Sequence, residues 1–418
     1  MSSINTREAV YALEDYTVAI RRHLHINAEA SGLELKTIEF LKGEFTKLGI
    51  EATEVEHGGL IAILEGARPG KSIICRADCD ALPMPESDCN LKGPRVCKSE
   101  NPNAMHACGH DGHVAMAMTV AKVLSENKDK WAGRVIFVIE RGEENGYGGI
   151  FLLNALRKLG PIDGCYANHL YAELPTGKIS IEAGPRMSAP VGATVKLTGR
   201  GGHGSRPDLC INPLDAFCDI YASCKELLAV KINPFSPVTF VVGAITYGTV
   251  GNIIPDSLTF TGGFRLADFS KSGEAVISGY KKIVETCCEK HGVTYEMNLR
   301  ALDMAVINNP DCSAIAEKAV TKALGPEYIG THEPWMASED FGLYLKYWPG
   351  VFAFVGIQNE ELGSGAPHHN TNFDIDEAAL PIGACGTLQY LLDFLENDKP
   401  IRHVTETRSP EEMMNAKI

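Results

Sequence analysis

Apolar positions in the first part of the chain follow two periods. Val10, Leu13, Ile20 and Leu24 recur at helical spacing, as do Ile38, Leu41, Phe45 and Leu48, where Gly49 supplies a stop. Leu60–Leu64, Ser72–Cys75 and Val135–Ile139 are short apolar runs bounded by Gly, Pro or charge. Such runs suit strands buried on both faces. A helix rich in Ala and Met is expected from Val114 to Ser125. Helices and short buried strands in alternation predict an α/β layered domain, a sheet covered by helices.

Residues 189–301 break that rhythm. Ala193–Leu197 alternates as a strand, and Asn212-Pro213 opens a helix to about Val230, with proline in its first turn. Thr239–Thr246 and Leu258–Leu266 read as strands, Ser270 as the cap of a second helix to about His291, and Val293–Leu299 as a closing strand. The order β-α-β-β-α-β is the split arrangement of a ferredoxin-like α+β domain. It reads as an insertion at 188–301, because candidate chemistry lies on both sides of it. The layered domain then comprises residues 1–187 and 302–398. Its second part carries a helix at Ile315–Leu324, a strand at Val351–Val355 and a final helix from Asp376, its expected cap, to about Glu396. Pro381 falls in the second turn of that helix, where it would bend it. Residues 399–418 are charged and irregular, and a loose tail is expected there.

Composition narrows the function. The formal net charge of −14 argues against nucleic acid or an anionic membrane as partner. No run approaches the length of a membrane span, and the N-terminus has no apolar core of a signal peptide. The 13 cysteines are odd in number and scattered. They read as reduced thiols of a cytoplasmic protein rather than a disulfide framework, although Cys89 and Cys97 flank one loop.

The densest chemistry is Met105-His-Ala-Cys-Gly-His-Asp-Gly-His113. Cys108 and His110 are too close for a structural zinc finger, but a Cys-Gly-His turn before a helix can present thiolate and imidazole to one metal. Four further clusters follow expected strands, where α/β sheets place ligands. In Arg76-Ala-Asp78-Cys-Asp80, the aspartates at i and i+2 share a face and suit the orientation of ligand histidines. In Glu140-Arg-Gly-Glu143-Glu144, adjacent carboxylates stay ionised together if a cation lies between them. One would ligate it and the other would take a proton from water. His169 ends the run Cys165–Ala167, and His368-His369 lies in a Gly-rich loop, with one of the pair expected as ligand. One thiolate, three imidazoles and a carboxylate are enough for two metals sharing a water, and favour zinc or another late first-row ion.

These motifs, in this order, resemble the di-metal amidohydrolases of the hippurate hydrolase, indole-acetyl-amino-acid hydrolase and N-acyl-amino-acid amidohydrolase type. Aminoacylases and glutamate-releasing carboxypeptidases are more distant relatives. The resemblance covers nearly the whole chain. It also takes in Arg21-Arg-His-Leu-His25, Gly201-Gly-His203-Gly-Ser, Gly251-Asn-Ile-Ile-Pro-Asp256 and Ser338-Glu-Asp-Phe341. It implies Cys108, His110, Glu144, His169 and His369 as ligands of one or two divalent ions (Zn, Mn, Co or Ni). Asp78 and Asp80 stand behind them, and Glu143 is implied as general base. It makes the insertion a lid and dimerisation domain. There, His203 reaches a partner subunit's site to steady an oxyanion, and Asn252 and Arg265 hold a substrate carboxylate. The implied reaction is hydrolysis of a small N-acyl amino acid to a carboxylic acid and a free amino acid, by a metal-activated water in a homodimer or a higher oligomer of dimers.

Other readings are a metallo-carboxypeptidase or dipeptidase on the same scaffold, and a non-catalytic metal-binding protein. Three departures from the family pattern stand out. Arg141 lies where the family has proline and is expected to pair with Glu140 or select a polar substrate. Cys79 and Ala28 replace a methionine and a proline. The Asp88–Lys98 loop, unusual in its cysteines and basic residues, is expected to shape the pocket rim.

Overall fold

The computed structural model describes residues 4–145 and 148–414. The chain divides into two compact units. One comprises the chain up to Gly184 with Ile307–Glu333 and Leu343–Pro410; the other comprises Pro185–Val306 with Pro334–Gly342 and the chain from Glu411.

The first unit holds a seven-stranded sheet. Its strands are β1 (Ala52–Val55), β2 (Gly59–Glu65), β3 (Arg68–Asp78), β4 (Ala132–Glu140), β5 (Gly164–Pro175), β6 (Ile179–Ser180) and β7 (Gly350–Gln358), in the order β1-β2-β4-β3-β5-β7-β6. The central four, β4-β3-β5-β7, are mutually parallel, and antiparallel strands close both edges. Consecutive residues along β4, β5 and β7 are buried, so helices cover both faces of the sheet, an α/β/α layering. The helices that matter for the site are α1 (Glu14–Ile26), α2 (Leu35–Lys47), α3 (His110–Glu126) and α4 (Ala379–Glu396). α3 is buried almost all round, and it packs against α1, α4, β3 and β5.

Three sequence expectations are corrected here. α3 begins at His110, not Val114, so the second metal-motif residue opens the helix. α4 begins at Ala379, with Ala378 rather than Asp376 as its cap; Pro381 therefore falls in the first turn, where its missing N–H costs no helical bond. The charged segment beyond Lys399 is not loose over its described part. The Glu406 N–H donates to Lys346 O at 2.8 Å, the Tyr347 hydroxyl donates to Arg408 O at 2.9 Å, and Arg402 pairs with Asp311.

The second unit is a four-stranded antiparallel sheet of Ala189–Thr198, Val238–Thr246, Ser257–Leu266 and Thr294–Ala301, with helices Pro213–Val230 and Phe269–His291. Taking the strands in chain order, the spatial order is second, third, first, fourth, that of a split β-α-β domain. Ala189–Thr198 alternates buried and exposed residues; its inward Val191, Val195 and Leu197 pack with Ile220, Val276 and Tyr280 of the helices. The second helix starts at Phe269 after Asp268, two residues before the Ser270 expected as its cap. The segment Pro334–Gly342 belongs to this unit. It is tied in by Ser188 N–H to Ala337 O and Trp335 N–H to Arg186 O, both at 2.8 Å.

Candidate metal centre

The carboxyl ends of β3, β4, β5 and β7 meet at one edge of the sheet, where open α/β folds bind ligands. β3 ends at Asp78 and β4 at Glu140. β5 runs on to Pro175, so His169 lies inside a strand and not at its end. It reaches the site because pairing with β3 stops at Ala167, which carries the next residues past the end of their neighbour. Gly109, at a φ of +90° that only glycine tolerates well, turns the chain between Cys108 and α3. A side chain there would also meet Leu170.

The ligand atoms of Cys108, His110 and His169 lie within 4.8 Å of one another, as do those of Cys108, Glu144 and His369, and of His110, Glu143 and Glu144. The three groups share members, so all five expected ligands and Glu143 fall in one cluster. Cys108 Sγ is 3.5 Å from His169 Nε2, and His369 Nε2 is 3.1 Å from Glu144 Oε1. The Nδ1 atoms of His169 and His110 are already engaged. His169 Nδ1–H donates to Leu170 O at 2.6 Å, and His110 Nδ1–H donates to Asp80 Oδ1 at 3.0 Å. Both rings thus turn Nε2 into the cluster, in the tautomer a metal requires. Asp80 also accepts the Glu144 N–H at 3.1 Å, so one carboxylate fixes two of the expected ligands.

Asp78 serves a different ring. It accepts from His113 Nδ1–H at 2.6 Å and lies 3.7 Å from His110 Nε2. His113 Nε2 in turn accepts the Leu170 N–H at 2.8 Å, leaving it no lone pair for a metal. His368 Nε2 likewise accepts the Ala172 N–H at 3.1 Å; this separates it from His369.

The cluster fits a cation. His110 Nε2 is buried and has no hydrogen-bond partner among the described residues. Burial alone would lower the His110 imidazole, yet Asp78, Asp80 and Glu144 around it push it up to about 10. The pocket favours positive charge at that spot. Burial, with His113 and His368 nearby, holds His169 well below the usual histidine range, so it is the neutral ligand form. Thiolate, imidazole and carboxylate donors suit a divalent first-row ion.

Several contributors are not singled out by sequence pattern. Arg76 binds Asp78 Oδ2 and Glu140 Oε2, each at 2.8 Å, and Tyr344 donates to the same Glu140 oxygen at 3.0 Å. The i, i+2 spacing of Arg76 and Asp78 on β3 was the available signal. Behind α3, Asp111 forms an ion pair with Arg21, its Oδ2 2.8 Å from Nε, and accepts from His25 Nδ1 at 2.8 Å, and Glu86 accepts from His25 Nε2 at 3.0 Å.

Arg141 is corrected. Its Nε donates to Glu34 Oε2 at 3.0 Å, and Glu34 Oε1 accepts the Gly142 N–H at 3.1 Å. The partner is the buried Glu34, 107 residues earlier in sequence, and not Glu140, which Arg76 occupies. The Cys89 and Cys97 thiols are both free.

In the second unit, His203 is exposed on a short ribbon paired with Ile253, and Gly204 N–H donates to Asn252 O at 2.9 Å. Ser205 N–H donates to His203 Nδ1 at 3.1 Å, which leaves Nε2–H as the outward donor. Arg265 sits elsewhere. It pairs with Pro190 at one end of the sheet, whereas the ribbon follows the other end, where Ser257 pairs with Thr198. Eight strand positions, roughly 26 Å, separate the two ends. Arg265 Nη1 donates to Ser338 Oγ at 2.8 Å, and no carboxylate pairs with it among the described residues.

Comparison with known proteins places the chain among hydrolases. The chain is 32% identical over 383 residues to Thermostable carboxypeptidase 2 of Saccharolobus solfataricus, covering 90% of this chain and 94% of that protein. It is 31% identical over 308 residues to the N-acyl-L-amino acid amidohydrolase of Geobacillus stearothermophilus, covering 72% and 82%. The crystal structure of the Bacillus subtilis YXEP protein, described as a dinuclear metal binding peptidase, superposes with a TM-score of 0.79 at 25% identity, over 92% of this chain and 99% of that one. The protein is a metal-dependent amidohydrolase that binds divalent ions. Residues 74–393 match the model of Peptidase family M20/M25/M40, and the chain belongs to that family.

Proposed function

We propose that the enzyme hydrolyses N-acyl amino acids to a carboxylic acid and a free amino acid. The observation that carries this substrate class is Arg265. Its guanidinium is half-buried, bound to a neutral hydroxyl and paired with no carboxylate among the described residues. A planar fork of donors suits the free carboxylate of an amino acid.

In this reading Cys108, His110, Glu144, His169 and His369 hold one or two divalent ions, zinc being favoured by the thiolate, with Mn, Co and Ni as alternatives. Bound metal supplies Lewis acidity and brings the pKa of water to about 7. Glu143 takes the proton from the attacking water and returns it to the leaving amine, so the carboxylate ends the cycle as it began. His203 donates its Nε2–H to the oxyanion in the site of a partner subunit; Asn252, on the same ribbon as His203, reaches the substrate carboxylate there, and Arg265 holds that carboxylate from the site's own subunit. The second unit then acts as a lid and dimerisation domain. The distance between His203 and Arg265 supports this, because one copy of the sheet cannot offer both to one small molecule. The exposed edge strand Val238–Thr246, with Val241 and Ile245 in solvent, supports a homodimer. No helix among the described residues is long and apolar enough to cross a membrane. The free thiols support a reducing, cytoplasmic setting.

A second reading, a carboxypeptidase or dipeptidase, is favoured by the similarity to the Saccharolobus enzyme. Hydrolysis of N-acetyl, N-benzoyl and dipeptide panels, with and without added Zn, Mn, Co or Ni and read by mass spectrometry, separates the two. Metal-dependent release of amino acids from the acylated panels is expected. Turnover of dipeptides alone would replace the first reading with the second.

A further inference from the structure

We propose that Arg95 is a positioning residue for metal binding: from the Asp88–Lys98 loop it clamps the chain beyond His369 and keeps that ligand's backbone bent into the site. The proposal rests on the reading of His369 as a ligand.

His369 has a φ of +61°, a left-handed conformation that a residue with a side chain keeps only when its surroundings impose it. Packing does not impose it, since the His369 side chain is 50% exposed. On one side of the bend, His369 N–H donates to Ala107 O at 2.9 Å, which ties it to the Cys108 turn. On the other side the tether is Arg95. Its guanidinium donates to Thr371 O at 2.8 Å and Phe373 O at 2.7 Å, and, through Nε, to Ser87 O at 2.8 Å on its own loop. The Arg95 side chain is 0% exposed, and Glu86 at 3.3 Å balances its charge. Only a rigid fork with several donors bridges three carbonyls in this way; a lysine ammonium offers one point of contact. Asn372 reinforces the seam, its Nδ2 donating to Cys89 O at 2.8 Å. The loop therefore acts on the site through the backbone of its neighbour.

The test is zinc affinity of the full-length protein, measured by competition with a chromophoric chelator, together with the visible spectrum of the cobalt-loaded form. Arg95→Met is expected to weaken zinc about tenfold to a hundredfold, as loss of an outer support does, and to shift the cobalt bands. Arg95→Lys should restore only part of the loss. Asn372→Ala leaves no buried charge behind and should weaken zinc in the same direction, so it decides the matter if Arg95→Met does not fold. A fold defect alone would change melting without moving the cobalt bands. Wild-type affinity and spectrum in Asn372→Ala and in folded Arg95→Met, alongside loss of zinc in His369→Ala, would overturn the clamp. Wild-type affinity in His369→Ala would remove the ligand reading, and the clamp with it.

Discussion

His110 shows how a side chain is prepared for metal by its neighbours. Asp80 takes its Nδ1–H, Asp78 stands across from Nε2, and the whole group is buried. Replacement of Glu143, the proposed base, would separate binding from turnover. Glu143→Gln is expected to retain the wild-type metal content, by elemental analysis, and to lose about a hundredfold to ten-thousandfold in kcat, the range of a general base. Undiminished turnover would take the base role away from Glu143. A second residue-scale expectation concerns His25. Burial and Arg21 would depress its imidazole, but Asp111 and Glu86 outweigh them and raise it. A histidine raised in the folded state adds stability that is complete below its unfolded value near 6.5 and disappears as pH climbs through the raised folded value. Urea midpoints of wild type minus His25→Gln should therefore shrink on going from mildly acidic to alkaline pH. A difference that is flat or grows with pH contradicts the charged His25–Asp111 contact.

At the scale of elements, the site depends on where strands stop and helices start. β3 and β4 end together at Asp78 and Glu140, while β5 continues, and α3 begins on His110, a proposed ligand. The joint that allows this is Gly109. Gly109→Ala puts a side chain into a left-handed position and against Leu170 at 3.3 Å. It should cost about 1–2 kcal/mol from the backbone alone. The loss should appear in the urea midpoint, with weakened zinc binding because Cys108 and His110 flank the turn; an unchanged midpoint would mean the turn relaxes freely. The Glu143-Glu144 turn is braced in another way. Glu34, just before α2, accepts from both Arg141 and the Gly142 N–H. An arginine expected from sequence to pair with Glu140 or select a polar substrate is thus a brace between the N-terminal segment and the loop after β4.

At the scale of the whole molecule, the proposed dimer has a direct test. His203→Ala and a metal-site variant such as Glu144→Ala should each be inactive alone. Unfolded together and refolded, they should recover about a quarter of wild-type activity, since half the dimers are mixed and each has one complete site. No recovery would confine each site to one subunit. Much of the rest was legible in sequence. Apolar runs of β4 and β7 announced strands buried on both faces, because a covered sheet needs side chains of one kind on both sides. The alternation in Ala193–Leu197 announced a strand, and the structure extends it to Ala189–Thr198 with burial of period two. That Cys108, His110, Glu143, Glu144, His169 and His369 come together was legible because donor side chains of those types stood after expected strands, and strand ends gather them. What sequence could not supply were partners distant along the chain. Arg141 with Glu34, Arg76 with Glu140, Arg95 with Thr371 and Phe373, and His25 with Asp111 each satisfy a buried charge or a row of carbonyls through contacts made only after folding. Local pattern determined the elements and the kinds of ligand, because periodicity and donor chemistry are properties of short segments. Tertiary structure alone decided which charge meets which, because a buried ion takes the nearest counter-charge in space, whatever its place in the chain.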